Sequence, residues 1–174
     1  MDQTQALRAA AEAFHLWHEA RLSEAELRYR EAIADADPRH YRTPDIHGQY
    51  AALLTCMNRG TEAGRHYERA LQLELQNEPD ESHAAVIAAR YVLGEHYLRM
   101  GEADSARRVV APSLAAAQKP LAWLVESEAL FLSGSTEEAR AAGKRALALA
   151  SDPEQRERMS ARLSRLWEEP GGDS

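Results

Sequence analysis

Seven histidines and one cysteine are the side chains with which this 174-residue chain could do metal or nucleophilic chemistry. His15 and His18 stand three apart beside Glu19, and His40 and His47 flank Thr43-Pro44, yet neither set has the ligand spacing of a zinc motif. His66, His83 and His96 fall on three different helical segments, each beside charged residues, and read as half-exposed surface groups. Cys56 is alone, so it can form no internal disulfide, and near a helix end it reads as a small buried hydrophobe. No Gly-rich phosphate loop, Ser-His-Asp arrangement or isolated carboxylate pair stands out from the charge background. The expectation is a non-enzyme with no catalytic residue, no metal and no cofactor.

The elements that would position any site are all helical, and no segment sustains strand alternation. The clearest stretch is 91 to 106, where Leu93, Gly94, Tyr97, Gly101 and Ala106 fall at the spacing of a helix hairpin. Gly94 and Ala106 supply small side chains where two helices approach, and Leu93 and Tyr97, four apart, form one packing ridge. Gly101 ends the first helix, because a residue comfortable at positive φ closes a helix most tightly.

Weaker copies recur three times. Ala13, Ala20, Ala25, Tyr29 and Ala32 form the first; Ala51, Leu54, Asn58, Ala63, Tyr67 and Ala70 the second; Trp123, Ser127, Leu130, Gly134, Ala139 and Ala146 the last. Ala20, Asn58, Gly101 and Gly134 are the expected turn residues. The phase residues Ala25, Ala63, Ala106 and Ala139 are separated by 38, 43 and 33 residues.

On these residues the chain resembles a tetratricopeptide repeat protein over nearly its whole length. The 43-residue step, from Tyr67 through Glu78-Pro79-Asp80 to Tyr97, is similar to the longer-helix variant of kinesin light chains. The resemblance implies an all-α, right-handed solenoid of about four repeats, spanning roughly 6–39, 44–78, 82–119 and 120–153 in a single domain 1–168. A capping helix over 154–167 carries Met159, Leu163 and Leu166 on its inner stripe, with Arg156, Arg158, Arg162 and Arg165 around it, and residues 169–174 form a disordered tail.

Local signals add detail. Ser23 with Glu26, Ser135 with Glu138 and Ser151 with Glu154 have capping-box spacing, and Thr43-Pro44 and Asp152-Pro153 place a cap before a first-turn proline. Pro112 predicts a kink or an early stop near Ala111. Gly143 stands where a large side chain is usual, so the last repeat should pack loosely there or accept a neighbour's side chain.

A formal net charge of -7 argues against a sequence-independent nucleic-acid binder and suits a basic partner surface. The first 30 residues lack a continuous apolar stretch, so a cytoplasmic chain without a membrane span is expected. In this architecture the first helix of each repeat lines a concave groove. The groove positions are Phe14, Trp17 and His18, then Gln49 and Thr55, then Tyr91, Glu95 and Arg99, then Leu124 and Glu128. Aromatic anchors beside hydrogen-bonding groups suit a peptide or protein segment, as in an adaptor, scaffold or regulator. The alternative is a domain sensing a peptide or small molecule. Self-association through the ends of the stack is a further possibility, and the Lys and Asn of a chaperone carboxylate clamp are missing from this strip.

Overall fold

The computed structural model describes residues 2–116 and 119–168. Among them the secondary structure is entirely helical: α1 (Gln3–His18), α2 (Leu22–Asp35), α3 (Thr43–Cys56), α4 (Gly60–Asn77), α5 (Ala84–Arg99), α6 (Ala103–Ala116), α7 (Pro120–Leu132), α8 (Thr136–Leu149) and α9 (Pro153–Glu168). The tail expected over 169–174 lies outside the described residues. The helices group into two compact units, one ending at Ala89 and one beginning at Arg90, with α5 crossing the boundary.

Each hairpin turn is built the same way. Ala20, Asn58, Gly101 and Gly134 all have positive φ, at 59°, 58°, 75° and 81°. In the first, the Ala20 amide donates to the Trp17 carbonyl and the Arg21 amide to the Leu16 carbonyl, both at 2.9 Å. The same two bonds recur from Asn58 and Arg59, from Gly101 and Glu102, and from Gly134 and Ser135. This pairing satisfies the last carbonyls of one helix while reversing the chain, and it requires the left-handed residue at its centre.

In the first unit α1 pairs with α2 and α3 with α4. Ala13 and Ala25 of the first hairpin and Ala51 and Ala63 of the second are all at 0% exposure. Around them Leu16, Tyr29, Ile46, Tyr50, Leu53, Leu54 and Leu73 fill the interior. The Tyr29 and Tyr50 rings stack at 5.7 Å, and burial raises the Tyr29 phenol to about 12. Glu26 ties the hairpins: it pairs with Arg59 at 2.7 Å and accepts from the Tyr50 hydroxyl at 3.3 Å. The Arg59 hydrogen bond, the largest influence on Glu26, holds its carboxyl below the usual range. Helix α4, at 18 residues, is longer than α2, α6 and α8, at 14 each, and with the following loop accounts for the 43-residue step.

In the second unit Ala106, Val110, Ala122, Val125 and Ala129 form a core against Tyr91, Tyr97 and Leu98. Gly94 is needed for close approach: a Cβ there would stand 3.0 Å from Cγ1 of both Val110 and Val125. The last crossing pairs Ser127 with Ala139, and the buried Ser127 hydroxyl donates to the Ala139 carbonyl at 2.7 Å. Gly143 takes the side chain of a neighbour, since a Cβ there would meet Trp167 Cζ2 at 2.6 Å. Met159 and Leu163 of α9 sink beside Leu124, Ala146 and Ala150.

Several local expectations fail for physical reasons. Pro112 does not stop its helix, which continues to Ala116. Ser23 lies inside α2, whose cap position is held by Arg21 without a side-chain bond. The Ser151 capping box does not form, while Asp152, the cap expected before Pro153, accepts from the amides of Glu154 and Gln155. Thr43 turns its hydroxyl to the Asp37 carbonyl at 2.6 Å instead of capping α3. At Ser135 the cap position is right but no side-chain bond forms. Cys56 is exposed and His96 is 4% exposed, the reverse of the sequence-based expectation for each.

Two stability measurements follow. Ala106→Leu overpacks a crossing with no free space and should lower the unfolding free energy by about 1–3 kcal/mol in denaturant titration. Ala20→Gly relieves a Cβ held at positive φ and should raise it by about 1 kcal/mol, the strain relief outweighing the extra chain entropy.

Candidate functional site

The groove positions read from the sequence fall into two groups, one in each unit. In the first unit a cavity of about 250 Å³ opens between α1 and α3. Leu7, Ala10, Ala11, Phe14 and His15 form one wall, and Arg42, Asp45, Ile46 and Gln49 the other. The cavity thus lies between the first helices of two successive hairpins. Its base is apolar because Ala10 and Ile46 are nearly fully buried, while its opposite rim carries the Arg42 and Asp45 pair.

Phe14 is 39% exposed, unusual for a side chain of its size. One helical turn brings His18 against it, ring centroids 4.3 Å apart and edge-on, and Trp17 packs at 6.3 Å with its plane at 87°. The three make an aromatic shelf on α1. Gln49 is half-buried, and its side-chain oxygen accepts from the Tyr29 hydroxyl at 3.4 Å, leaving its amide nitrogen to address a ligand. Thr55 is committed elsewhere, donating to the Ala51 carbonyl at 2.9 Å.

In the second unit Tyr91, Glu95 and Glu128 converge, and a side chain missing from the expected groove converges with them. Arg162 of α9 donates through Nη1 and Nη2 to Glu95 at 3.0 and 2.8 Å and through Nη2 to Glu128 Oε2, and its Nε makes an ion-pair contact with Glu128 Oε1. Burial of Glu128 pushes its carboxyl above the usual range even against the pull of Arg162, and the nearby Glu95 charge adds to this. Arg162 is held protonated by its two carboxylates although burial opposes the charge. Burial, and then the Glu95 charge, raises the Tyr91 phenol, while Arg162 pulls it the other way.

The sequence puts Arg162 on the outer, solvated side of the cap, and the structure corrects this. Arg162 flanks the stripe of Met159 and Leu163 that enters the core, and that adjacency was the available signal. Leu124 is also corrected: at 2% exposure, packed among Ala146, Ala150, Met159 and Leu163, it is core. Arg99 is exposed.

Two of the histidines meet in a place the sequence did not suggest. His47 and His66 bring their Nδ1 atoms to 3.0 Å with rings stacked at 27°, and Tyr50 meets His66 edge-on at 4.6 Å. One neutral imidazole donates to the other, an arrangement that a second proton breaks. Burial first, then the charges of His66 and Arg69, push His47 down to about 4, and burial also lowers His66. Among the described residues no three His, Cys, Asp or Glu side chains gather to hold a metal ion. Nor, among them, is any helix long and apolar enough to cross a membrane.

The tetratricopeptide repeat family pattern matches residues 42–119. No curated protein sequence matches the chain. Among solved structures it is similar to BtubC (BKLC) from P. vanneervenii, with a TM-score of 0.71 at 16% identity over 91% of this chain. It spans 64% of that chain's length. It is also similar to Pseudomonas aeruginosa PilF, with a TM-score of 0.66 at 21% identity over 96% of this chain and 71% of that one. The all-α repeat fold expected from the spacing of small residues is the fold observed.

Because both histidines of the pair have lowered folded-state pKa values, the neutral pair's stability is present above about 6.5 and is lost as pH falls toward 4. Wild type should lose about 2 kcal/mol more than His47→Gln between pH 7 and pH 5, read by denaturant titration at each pH.

Proposed function

Starting from a tetratricopeptide repeat protein, we propose that this chain is a non-catalytic interaction module, an adaptor or regulator that holds a segment of a partner protein along the first helices of its repeats. The cleft between α1 and α3 carries this reading. It is open, apolar at its base and polar at its rim, and has an exposed phenylalanine at one edge. Such a surface suits a short extended or helical segment whose apolar side chain enters beside Phe14 while its backbone meets Gln49.

The volume favours one or two side chains over a large buried ligand, since cavities for drug-sized molecules run from about 300 Å³ upward. Arg42 and Asp45 face each other across 3.9 Å, so the rim presents both signs of charge and orients a segment more than it selects net charge. The wider surface is acidic, in keeping with a partner that is basic around the docked segment. The first helices offer this face because the small-residue crossings commit their opposite sides to the hairpin interior.

Phe14→Ala together with Gln49→Ala should weaken binding of display-selected peptides by about a hundredfold, two contacts at 1–2 kcal/mol each, as read by calorimetry. The melting temperature should stay within a few degrees, because neither side chain is in the core. Unchanged affinity in the double variant would place the binding face elsewhere.

A further inference from the structure

In the second unit two carboxylates surround the Arg162 guanidinium, an arrangement separate from the α1–α3 cleft. Glu95 and Glu128 each address the Arg162 fork with both oxygens, so two edges of the planar cation and all three of its nitrogens are engaged. The Tyr91 phenol feels the same group electrostatically. A lysine ammonium has neither the planar shape nor the number of donors to meet two carboxylates in this way.

Two features set this arrangement apart from a simple fastening of α9. The helix is already anchored by Met159 and Leu163, which are 3% and 0% exposed, and by Trp167 over Gly143. Its arginine is therefore not needed to seat it. The acceptors are the buried partners, with side chains 15% and 11% exposed, whereas the Arg162 side chain is 37% exposed and can swing to solvent without moving its helix. Two carboxylates facing one cation also leave the box net negative.

We propose that Tyr91, Glu95 and Glu128 form a binding site for the arginine side chain of a partner segment, and that Arg162 occupies it in cis until that arginine exchanges with it. Arg162 then sets the threshold: a partner arginine must outcompete a group held at high local concentration, so weak or lysine-bearing segments are excluded.

The test uses the full-length chain and two probes, N-acetyl-arginine methylamide and N-acetyl-lysine methylamide. In Arg162→Ala the arginine probe should raise the melting temperature saturably, at about a tenfold lower concentration than the lysine probe. Wild type should need roughly tenfold more of it than the variant, because Arg162 competes. Arg162→Ala with Glu128→Gln should lose the response. No saturable rise in Arg162→Ala, an equal response to both probes, or wild type responding as readily as the variant would each overturn the proposal and leave a structural clasp. If Arg162→Ala does not fold, Arg162→Gln, which keeps much of the side-chain stem, replaces it. The Arg162 Nε–H resonance of wild type, shifting saturably with the arginine probe only, reads the same exchange without a variant; no shift overturns it.

Discussion

A residue at positive φ closes every hairpin of this chain, and five residues after it an alanine sits at the point where two helices touch. The two requirements are linked. The turn delivers the second helix back against the first at a fixed phase, and only a small side chain at the crossing lets the backbones come that close. Once Ala25, Ala63, Ala106 and Ala139 are committed to the interior, the ridge formed by Leu16, Leu54, Tyr97 and Leu130 is committed with them. Phe14, Gln49, Tyr91 and Glu95 lie on the first helices away from these crossing alanines.

The repeats differ in how their chemistry fills that frame. Ala20 and Asn58 hold the left-handed position with a Cβ, at a cost that Gly101 and Gly134 avoid. Gly94 is pressed between two valines, whereas Ser127 at the equivalent crossing uses a hydroxyl to bond the facing backbone. Each solution keeps the helices close while changing the polarity of the contact. Near Gly143 the missing side chain is replaced by the indole of Trp167, so α9 completes the core of the last hairpin instead of merely covering it.

What the sequence made legible follows from this frame. All four turn residues and all four crossing alanines were identifiable, because backbone conformation and close approach each restrict residue type severely. Helix starts were less so: Ser23, Thr43 and Ser151 had the right spacing for caps, but α2 and α3 have Arg21 and Arg42 at the cap position with no side-chain cap bond, and at α9 the neighbouring Asp152 carboxylate meets the amides. Groove-facing residues were legible as far as helical phase reaches. Phase put Phe14 and Gln49 on first helices of the first unit and Tyr91, Glu95 and Glu128 on those of the second, but it could not show that α9 would return an arginine to the last three. Arg162 comes from 34 residues beyond Glu128 and 67 beyond Glu95, a separation at which no local pattern operates. The His47 and His66 contact was hidden for a related reason: it joins two helices of one hairpin at positions outside the small-residue frame.

Shape and a few placed polar groups, not a reactive cluster, are what this account makes responsible for activity. Amide hydrogen exchange with and without a tightly bound display-selected peptide tests that most directly. The account predicts new protection concentrated in residues 7–18 of α1 and 42–49 of α3, with the hairpin crossings already protected in the free protein. Protection confined to α2 and α4, the second helices of the same hairpins, would contradict it.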